Sequence, residues 1–537
     1  MKWKIISKRP ATDLIKTLLA NRGLKTKKEI EAFLHPPKPE SLTAKHLAIA
    51  PVQLIKAVAR IKKAVKDKEK IIVYGDYDAD GICATAILWE TLYKLGASAM
   101  PFIPSREEGY GMKVDRIEQF SKEGIGLIVT VDQGIVAFEA AAEAKTLKID
   151  LIITDHHLPE KKKPAAKAII HTTQLSGAGV AWYLAKSLGA KAVLDLATIG
   201  TVGDIVPLKG ANRSLVKYGL AAVRQTARPG LRSLFRVAGI ESADIGPYEI
   251  GFLIGPRLNA SGRMDDPVDS LRLVCTPNAG RADELAQKLN LKNKDRQLLM
   301  ASLTIKAKEL WLKEDGKSSL IFVSHESFQQ GVVGLVAGKL MEEFHRPVVI
   351  VALGKEFSRA SARSIEEFNI VKAVRACADL LGSHGGHPRA AGFTIATKNI
   401  AIMRRRLIAI AEKKLKGRDL SPTLKIDLEI DLESLNLGLY RRLANLEPFG
   451  EGNPQPVFAT RQVKIVDART VGADGRHLKL KVESCKSKVI FDAIAFGLGH
   501  LYPQLSSGKL IDIAYNLELN EWSGHQKLQL KIKDVKF

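Results

Sequence analysis

The sequence is poor in the features that identify several classes of protein at once. Its 537 residues include only four cysteines (Cys83, Cys275, Cys377 and Cys485), and no two of them form a CxxC pair. Neither a disulfide framework nor a cysteine zinc site follows from that spacing, and a reducing cytoplasm fits it. No apolar run reaches the length of a membrane helix, and the start, MKWKIISKRP, lacks a signal-peptide core. We therefore expect a cytoplasmic protein with no membrane partner.

Aromatic and acidic residues are also scarce. Aromatics make up 6% of the chain, and 58 Asp and Glu stand against 82 Lys and Arg, which gives a formal net charge of +24. This surplus favours a polyanionic partner such as nucleic acid, although charge alone does not indicate a fold. The 46% hydrophobic and 26% charged content is that of an ordinary globular protein. The length predicts roughly two to four domains.

The stretch Lys70–Gly81, KIIVYGDYDADG, carries the clearest chemistry. Its β-branched start predicts a buried strand, Asp76, Asp78 and Asp80 alternate after it, and a helical period follows. Carboxylates this close raise one another's pKa, and a hard divalent cation relieves the repulsion because it takes oxygen ligands from several acids. The stretch therefore predicts a metal-binding loop between a strand and a helix.

Other interpretations of this loop fit less well. An EF-hand shares the DxDxDG pattern, but its last position needs Glu where this chain has Ile87, and a helix should precede it. A phosphate-binding loop uses glycine N–H groups, and three aspartates would repel a phosphate unless a metal lay between them. A solvated polar loop explains one Asp better than three.

Two further predicted strands end in residues of the same kind. Gly126–Val131 runs into Asp132-Gln133-Gly134, and Ile149–Thr154 runs into Asp155-His156-His157, with the helix Val136–Leu147 between them. This alternation predicts βαβ units and a parallel sheet with right-handed crossovers. Ligands bind at the carboxyl edge of such sheets, so these side chains should converge there. Alone, Asp204 is typical of a turn, but its neighbourhood makes it a further candidate.

The second half of the chain carries small-residue segments that suit anions. GPRLNASGRM contains Arg257, Asn259 and Arg263, and as a loop it would close on a phosphate, although a turn with surface arginines explains it equally well. RASARS, which includes Ser361 and Arg363, and HGGHPRAAGF, with His387 and Arg389, are predicted to be loops of a second α/β domain. Two such loops in one domain favour phosphate recognition.

The predicted fold class is α/β. A parallel-sheet domain is joined by a long helix to a smaller α/β domain, and alternating strands after Lys425 predict a five-stranded β-barrel of the oligonucleotide-binding type, with a β-sandwich as the alternative. Trp522 is a candidate base-stacking residue there, or a buried one. We expect no further domain after the barrel. The predicted divisions are a helical N-terminal segment (1–50), the first domain (51–280), the connector helix (281–315), the second domain (316–418) and the barrel (422–537).

The acidic and histidine motifs, taken in order, resemble the signature of the DHH phosphoesterases. GPRLNASGRM, ASARS, GGHPRAAGF and LEPFGEGNP, which spans Leu446–Pro454, resemble the RecJ branch of that family, the 5′→3′ exonucleases specific for single-stranded DNA. The resemblance covers nearly the whole chain. Two positions depart from the pattern: Gln329-Gln330 stands where the family usually has Trp-His, and Gln133 where it more often has Asn or Cys.

The resemblance implies a site with two Mn²⁺ (or Mg²⁺) ions. One ion would be held by Asp78 and Asp132 with Asp76 close by, and the other by Asp80, Asp132, His156 and Asp204. Asp155 would orient His156, and His157 would face the scissile phosphate. The resemblance also implies a pocket for the 5′-terminal phosphate made by Arg106, Ser361 and Arg363, with Arg263 nearby. The predicted DNA-binding set further includes Asn259, His387 and Arg389.

The implied function is a metal-dependent exonuclease that degrades single-stranded DNA to mononucleotides in recombination and repair. The implied partners are a single-strand-binding protein and recombination or mismatch-repair proteins, and we expect a monomer. Two alternatives stay open: a DHH phosphodiesterase on short oligonucleotides or cyclic dinucleotides, and a non-enzymatic DNA-binding scaffold.

Overall fold

The computed structural model describes residues 1–8, 13–106, 108–109, 111–191, 194–314, 316–522 and 525–537, without the side chains of Trp522 and His525. The prediction for Trp522 therefore lies outside the described side chains. The chain forms two compact units. The barrel unit comprises Met1–Leu42, Ile205–Tyr218 and Pro422–Phe537, and the α/β unit comprises Thr43–Asp204 and Gly219–Ser421.

The elements follow one another in chain order. The strands are β1 (Lys2–Ser7), β2 (Lys70–Tyr74), β3 (Ser98–Phe102), β4 (Leu127–Thr130), β5 (Asp150–Asp155), β6 (Ala168–His171), β7 (Ile321–His325), β8 (Val348–Ala352), β9 (Phe357–Arg363), β10 (Leu381–His387), β11 (Ala390–Ala396), β12 (Thr423–Glu429), β13 (Phe458–Val471), β14 (His477–Glu483), β15 (Ile490–Ala495), β16 (Leu510–Trp522) and β17 (His525–Lys536). The helices are α1 (Leu14–Asn21), α2 (Lys27–Leu34), α3 (Pro51–Lys66), α4 (Ala79–Lys94), α5 (Val114–Lys122), α6 (Phe138–Thr146), α7 (Gly177–Ser187), α8 (Leu194–Gly203), α9 (Gly210–Arg224), α10 (Pro229–Ala238), α11 (Pro247–Glu249), α12 (Gly255–Met264), α13 (Val268–Cys275), α14 (Ala279–Glu314), α15 (Gln330–Phe344), α16 (Ile370–Arg375), α17 (Ile400–Leu415) and α18 (Leu437–Ala444). Over the described residues, no helix has the length and apolar character needed to cross a membrane.

The first sheet of the α/β unit has the order β3-β2-β4-β5-β6, and every pairing is parallel. Its central strands are β-branched and buried, as sheets covered by helices on both faces require. The predicted parallel sheet is confirmed. Because all five strands point the same way, the residues that follow β2, β4 and β5 meet at one carboxyl edge.

The second sheet of this unit has the order β10-β11-β9-β8-β7, with only β7 and β8 parallel. RASARS and HGGHPRAAGF were both predicted to be loops, and both predictions are wrong. All of RASARS except Ser364 lies in β9, where Ala360 and Ala362 are buried and Ser361 between them faces the other side. HGGHPRAAGF is the hairpin of β10 and β11. Pairing with β8 and β11 makes β9 a strand despite its small polar residues.

GPRLNASGRM was also predicted to be a loop, and it is the helix α12 instead. A π-helical turn, Ile250–Ile254, leads into it. Leu258, Ala260 and Ser261 are buried, and a Cβ at Gly262 would lie 2.6 Å from the Tyr77 carbonyl oxygen. The small residues therefore allow close helix packing, which overrides their weak helix propensity.

The five predicted barrel strands are confirmed as β13 to β17. They pair in the order β13-β14-β15-β17-β16, and β13 also pairs with β16, which closes the barrel. The predicted helical N-terminal segment is only partly helical, because β1 opens it and pairs in parallel with β12. A partner 421 positions away (Lys2 with Thr423) leaves no local signal in the sequence.

Candidate metal centre

The acidic loop after β2 is fixed by backbone donors. Asp78 caps α4 and accepts a hydrogen bond from the Gly81 N–H at 2.9 Å. Asp80, on the first turn of that helix, accepts from the Gly177 and Ala178 N–H groups at 2.7 and 2.9 Å. The Asp80 carboxylate therefore lies at the positive N-terminus of α7, which stabilises its charge.

Two later strand ends add their side chains to this loop. Asp132 follows β4 in the left-handed conformation, with φ 62°. Its Oδ1 lies 3.0 Å from His156 Nε2, and the same nitrogen lies 3.5 Å from Asp204 Oδ2 and 3.9 Å from Asp80 Oδ2. Residues that span more than a hundred sequence positions are thus gathered around one imidazole.

Ligand atoms of these residues lie within 4.8 Å of one another in three overlapping groups. The groups are Asp76, Asp78 and Asp132; Asp80, His156 and Asp204; and Asp132, His156 and His157. The structure therefore brings together all six residues predicted to hold metal. Asp132 and His156 each belong to two groups. A carboxylate can bridge two cations and a single imidazole nitrogen cannot, so Asp132 could contribute to two cation positions.

Burial and mutual repulsion shift the pKa values of this cluster strongly. Burial and the neighbouring Asp78 raise the pKa of Asp76 to about 8 and that of Asp80 to about 7. Burial also raises the pKa of Asp204 to about 9 and lowers that of His156 to about 4. Without a cation, burial therefore favours the protonated form of these carboxyls and the uncharged form of the imidazole.

The donor set fits a divalent cation. Asp132 Oδ1 and His156 Nε2 are buried, and apart from their 3.0 Å contact with each other neither has a hydrogen-bond partner among the described residues. Buried polar atoms without a partner are costly in a protein interior unless an ion satisfies them. Carboxylate oxygens with an imidazole nitrogen suit Mn²⁺, and Mg²⁺ accepts the oxygens.

Asp155 contacts a different histidine from the one expected. The resemblance implied that it orients His156, but its Oδ1 lies 2.8 Å from His157 Nδ1 and touches only the backbone N–H of His156. Despite burial, the pair with His157 lowers the pKa of Asp155, and the same pair raises that of His157. Asp155 therefore holds the His157 ring and favours its protonated form.

A group of arginines lies beside the acidic cluster. Arg263 donates to the Gly331 carbonyl at 3.2 Å, and Arg106 donates to the Gly262 carbonyl at 3.0 Å. Burial lowers the pKa of Arg263 to about 10, helped by the charges of Arg106, Arg296 and Arg363 and opposed by that of Asp78. Clustered guanidinium groups that repel one another form a site suited to an anion.

The remaining predicted DNA-binding residues fall into two sets. Ser361 lies in this arginine group, because its Oγ accepts from Arg363 Nη1 at 3.2 Å. Asn259 instead accepts from the Ala79 N–H at 2.7 Å, at the start of α4. His387 and Arg389 are exposed at the tip of the β10–β11 hairpin, where the Arg389 carbonyl accepts from the Ser364 N–H at 2.9 Å.

Sequence reasoning missed several residues that shape the site. Arg296 lies in the middle of the long helix α14, where nothing in the pattern distinguishes it from a solvated arginine. The departures from the family pattern also have identifiable contacts. Gln330 accepts from Arg359, and the Gln133 side chain donates to the Gly75 carbonyl. Only unusual residue types at those positions gave a signal.

Comparison with known proteins agrees with this arrangement. The profile of the DHH family, N-terminal domain, matches residues 70–201, that of the DHHA1 domain matches 317–416, and that of the RecJ OB domain matches 426–534. The single-stranded-DNA-specific exonuclease RecJ of Bacillus subtilis is 35% identical over 98% of this chain and 68% of its own length. That of Escherichia coli is 31% identical over 97% and 95%.

A solved structure shows the same architecture. The crystal structure of Thermus thermophilus RecJ in complex with Mn²⁺ matches all of this chain and 79% of its own with a TM-score of 0.84 at 31% identity. The α/β unit, with its aspartates and histidines at one sheet edge and its second α/β domain, defines a DHH phosphoesterase. Within that class, the chain belongs to the RecJ family.

Proposed function

We propose that the protein is a metal-dependent exonuclease that degrades single-stranded DNA from the 5′ end to mononucleotides. The observation that carries this proposal is the pairing of two sites in one unit. A buried carboxylate–imidazole cluster fits divalent cations, and the arginine group beside it suits a terminal phosphate. Neighbouring cation and phosphate sites suit hydrolysis of the first phosphodiester of a strand.

The roles of the residues follow from their contacts. Asp76, Asp78, Asp80, Asp132, His156 and Asp204 would hold two Mn²⁺ or Mg²⁺ ions. Bound cations at such a site lower the pKa of an attacking water and stabilise charge on the phosphate oxygens. His157, held at Nδ1 by Asp155, would offer its other ring nitrogen as a proton donor to the phosphate or the leaving oxygen. Arg106, Arg263, Ser361 and Arg363 would bind the 5′-phosphate.

The outer face of the barrel offers a second surface for the strand. Arg469 pairs with Lys479, Lys479 with Ile494 and Ile494 with Lys531, so their side chains form one row across four strands. Beside this row, Phe496 is 56% exposed, and its ring packs edge-on against His477 at 5.2 Å. Basic side chains with an exposed aromatic suit a single strand, whose bases stack and whose phosphates attract cations.

The decisive experiment compares the wild type with Asp80→Asn on single-stranded DNA. With Mn²⁺ present, we expect the wild type to release 5′-mononucleotides from long strands and to prefer a 5′-phosphate over a 5′-hydroxyl. Asp80→Asn should lower the rate by more than about 100-fold. Loss of a residue that only orients a metal ligand costs about 10- to 100-fold, and loss of a ligand itself should cost more.

Asp115→Asn, at an exposed position on α5, is the matched control and should keep full activity. Degradation of dinucleotides or cyclic dinucleotides without degradation of long strands would favour the phosphodiesterase alternative. Binding of DNA without any hydrolysis would favour the scaffold.

The oligomeric state, the cellular location and the protein partners are also proposals. We propose that the protein acts as a monomer in the cytoplasm, where its DNA substrate lies, in recombination and repair with a single-strand-binding protein and recombination or mismatch-repair proteins. The predicted domain boundaries stay a prediction.

A further inference from the structure

The segment Asp76-Tyr77-Asp78 is held at both ends by side-chain amides from distant parts of the chain. Before it, the Gly75 carbonyl accepts a hydrogen bond from the Gln133 side-chain N–H. After it, the Ala79 N–H donates to Asn259 Oδ1 at 2.7 Å. One amide satisfies a backbone acceptor and the other a backbone donor, and together they bracket two of the proposed ligands.

Gln133 links this segment to the loop that carries Asp132. Its side chain is completely buried, and its backbone carbonyl accepts from Thr130 Oγ1 at 2.7 Å. Asp132, one position earlier, has the left-handed φ of 62°. Thr130 holds the backbone carbonyl of Gln133, and Gly75 accepts from its buried side-chain N–H, so this one residue ties the two loops together.

Asn259 links the same segment to α12, which packs closely along it. Gly262 leaves no room for a side chain next to the Tyr77 carbonyl. Arg106 donates to the Gly262 carbonyl at 3.0 Å, and its guanidinium lies 4.2 Å from the centre of the Tyr77 ring. These contacts fix the position of α12 against the acidic loop. From that helix, the Asn259 side chain accepts a hydrogen bond at the end of the loop.

We propose that Gln133 and Asn259 are positioning residues that set Asp76 and Asp78 at the spacing that a cation requires. This inference rests on the proposed metal-dependent function. This role differs from the DNA contact predicted for Asn259. The Asn259 side-chain oxygen accepts from the Ala79 N–H, so it holds the loop that carries the metal ligands. The two roles predict different DNA affinities for an Asn259 variant in the absence of metal. A DNA contact would lower the affinity, and a positioning role would leave it unchanged.

The test measures Mn²⁺ affinity by calorimetry and, separately, single-stranded DNA affinity in EDTA. The variants are Asn259→Leu and Gln133→Met, which keep nearly the same volume and remove the hydrogen bonds. We expect each to lower Mn²⁺ affinity by roughly 10- to 100-fold, as loss of a partner that orients a ligand does elsewhere. DNA affinity in EDTA should stay within about twofold of the wild type, since a positioning residue makes no DNA contact.

Controls separate this role from general packing. Asn290→Leu removes the 3.0 Å bond from Arg257 to α14 and loosens α12 without touching the loop, so Mn²⁺ affinity should be unchanged. Asn259→Asp retains the acceptor and should stay within about threefold of the wild type. If Asn259→Leu does not fold, Gln133→Met still tests the proposal. Unchanged Mn²⁺ affinity in the first two variants, an equal loss in Asn290→Leu, or DNA binding reduced by Asn259→Leu in EDTA would overturn the proposal. If the wild type itself binds no Mn²⁺, the proposed function fails instead.

Discussion

Single residues at the carboxyl edge of the first sheet hold charge that burial disfavours. The ordinary pKa of an Asp carboxyl is 3.8, and burial raises that of Asp76 to about 8 and that of Asp204 to about 9. Asp132 shifts in the same direction, since burial and Asp80 both penalise its charge. The metal-free cluster therefore resists ionisation, and a cation that binds it must displace protons.

This charge balance predicts how stability depends on pH. At these carboxyls the folded state binds more protons than the unfolded chain between about pH 4 and pH 9, so without metal they make the free energy of unfolding fall as pH rises through that range. His156, whose pKa is lowered to about 4, opposes this fall only below about pH 6.5. The raised pKa of His157 acts in the same direction. In EDTA we expect the melting temperature to fall from neutral to alkaline pH, and Mn²⁺ should largely remove the fall. Thermal melts at constant ionic strength measure both.

Asp80→Asn removes one of these titrating groups and should flatten the pH dependence in EDTA, whereas the exposed Asp115→Asn should leave it unchanged. Identical curves for the wild type and Asp80→Asn would contradict this account. At this scale the sequence predicted which acidic residues meet, because apolar runs mark where each strand ends and parallel strands end at one edge. It did not predict that Asp155 pairs with His157, since the direction of each side chain depends on the backbone after β5.

Among the elements, α8 governs the position of Asp204. Its Gly200 lies where a Cβ would be 2.5 Å from Asp80 Oδ1 and 2.5 Å from the Ala178 side chain. Such distances are shorter than van der Waals contact, so α8 can approach α4 and α7 this closely only with glycine here. Asp204 directly follows α8, and its position near His156 depends on that approach.

Gly200→Ala should therefore displace α8 and move Asp204 away from the cluster. We expect Mn²⁺ affinity to fall by roughly 10- to 100-fold and the free energy of unfolding to fall by about 1–3 kcal/mol through overpacking. Calorimetry and chemical denaturation measure these two effects. Gly338→Ala on α15, where a Cβ meets nothing within 4 Å, is the control. It should leave Mn²⁺ affinity unchanged and raise stability by up to about 1 kcal/mol. A Gly200→Ala enzyme with normal affinity would contradict the packing account.

Elements were predictable from sequence where local pattern decided them. In β14 and β15 of the barrel, buried side chains alternate with less buried ones, and the period of two was visible in the sequence. α12 and β9 were not predictable, because their small residues favour loops locally and only neighbouring elements hold them in regular structure. Both elements border the site, where close approach matters more than propensity.

At the scale of the whole molecule, the barrel unit is assembled from three separate stretches of chain. Arg213 is buried in this unit and donates to the carbonyls of Phe33, Leu446, Glu447 and Pro448. The LEPFGEGNP motif thus has a structural role that its sequence did not indicate. The nearest of these partners in sequence, Phe33, is 180 positions from Arg213. Local periodicity cannot predict bonds between residues so far apart in the chain.

The net charge of +24 is the other property of the whole molecule, and its distribution can be tested through salt. For single strands, the slope of log affinity against log salt is about −0.7 for each phosphate neutralised. If the row across the barrel binds phosphates, replacing Arg469, Lys479 and Lys531 with Gln should reduce that slope by about 2. Binding of a long single strand in EDTA at several salt concentrations measures it.

A matched variant removes the same charge from elsewhere. Arg405, Lys413 and Lys414 are exposed on α17, and replacing them with Gln should change the slope much less, because a solvated helix face makes no fixed phosphate contact. Phe496→Ala should lower the affinity with the slope unchanged, since stacking displaces no counterions. Equal slope changes in the two triple variants would mean that net charge alone attracts the strand, and the row across the barrel would lose its assigned role.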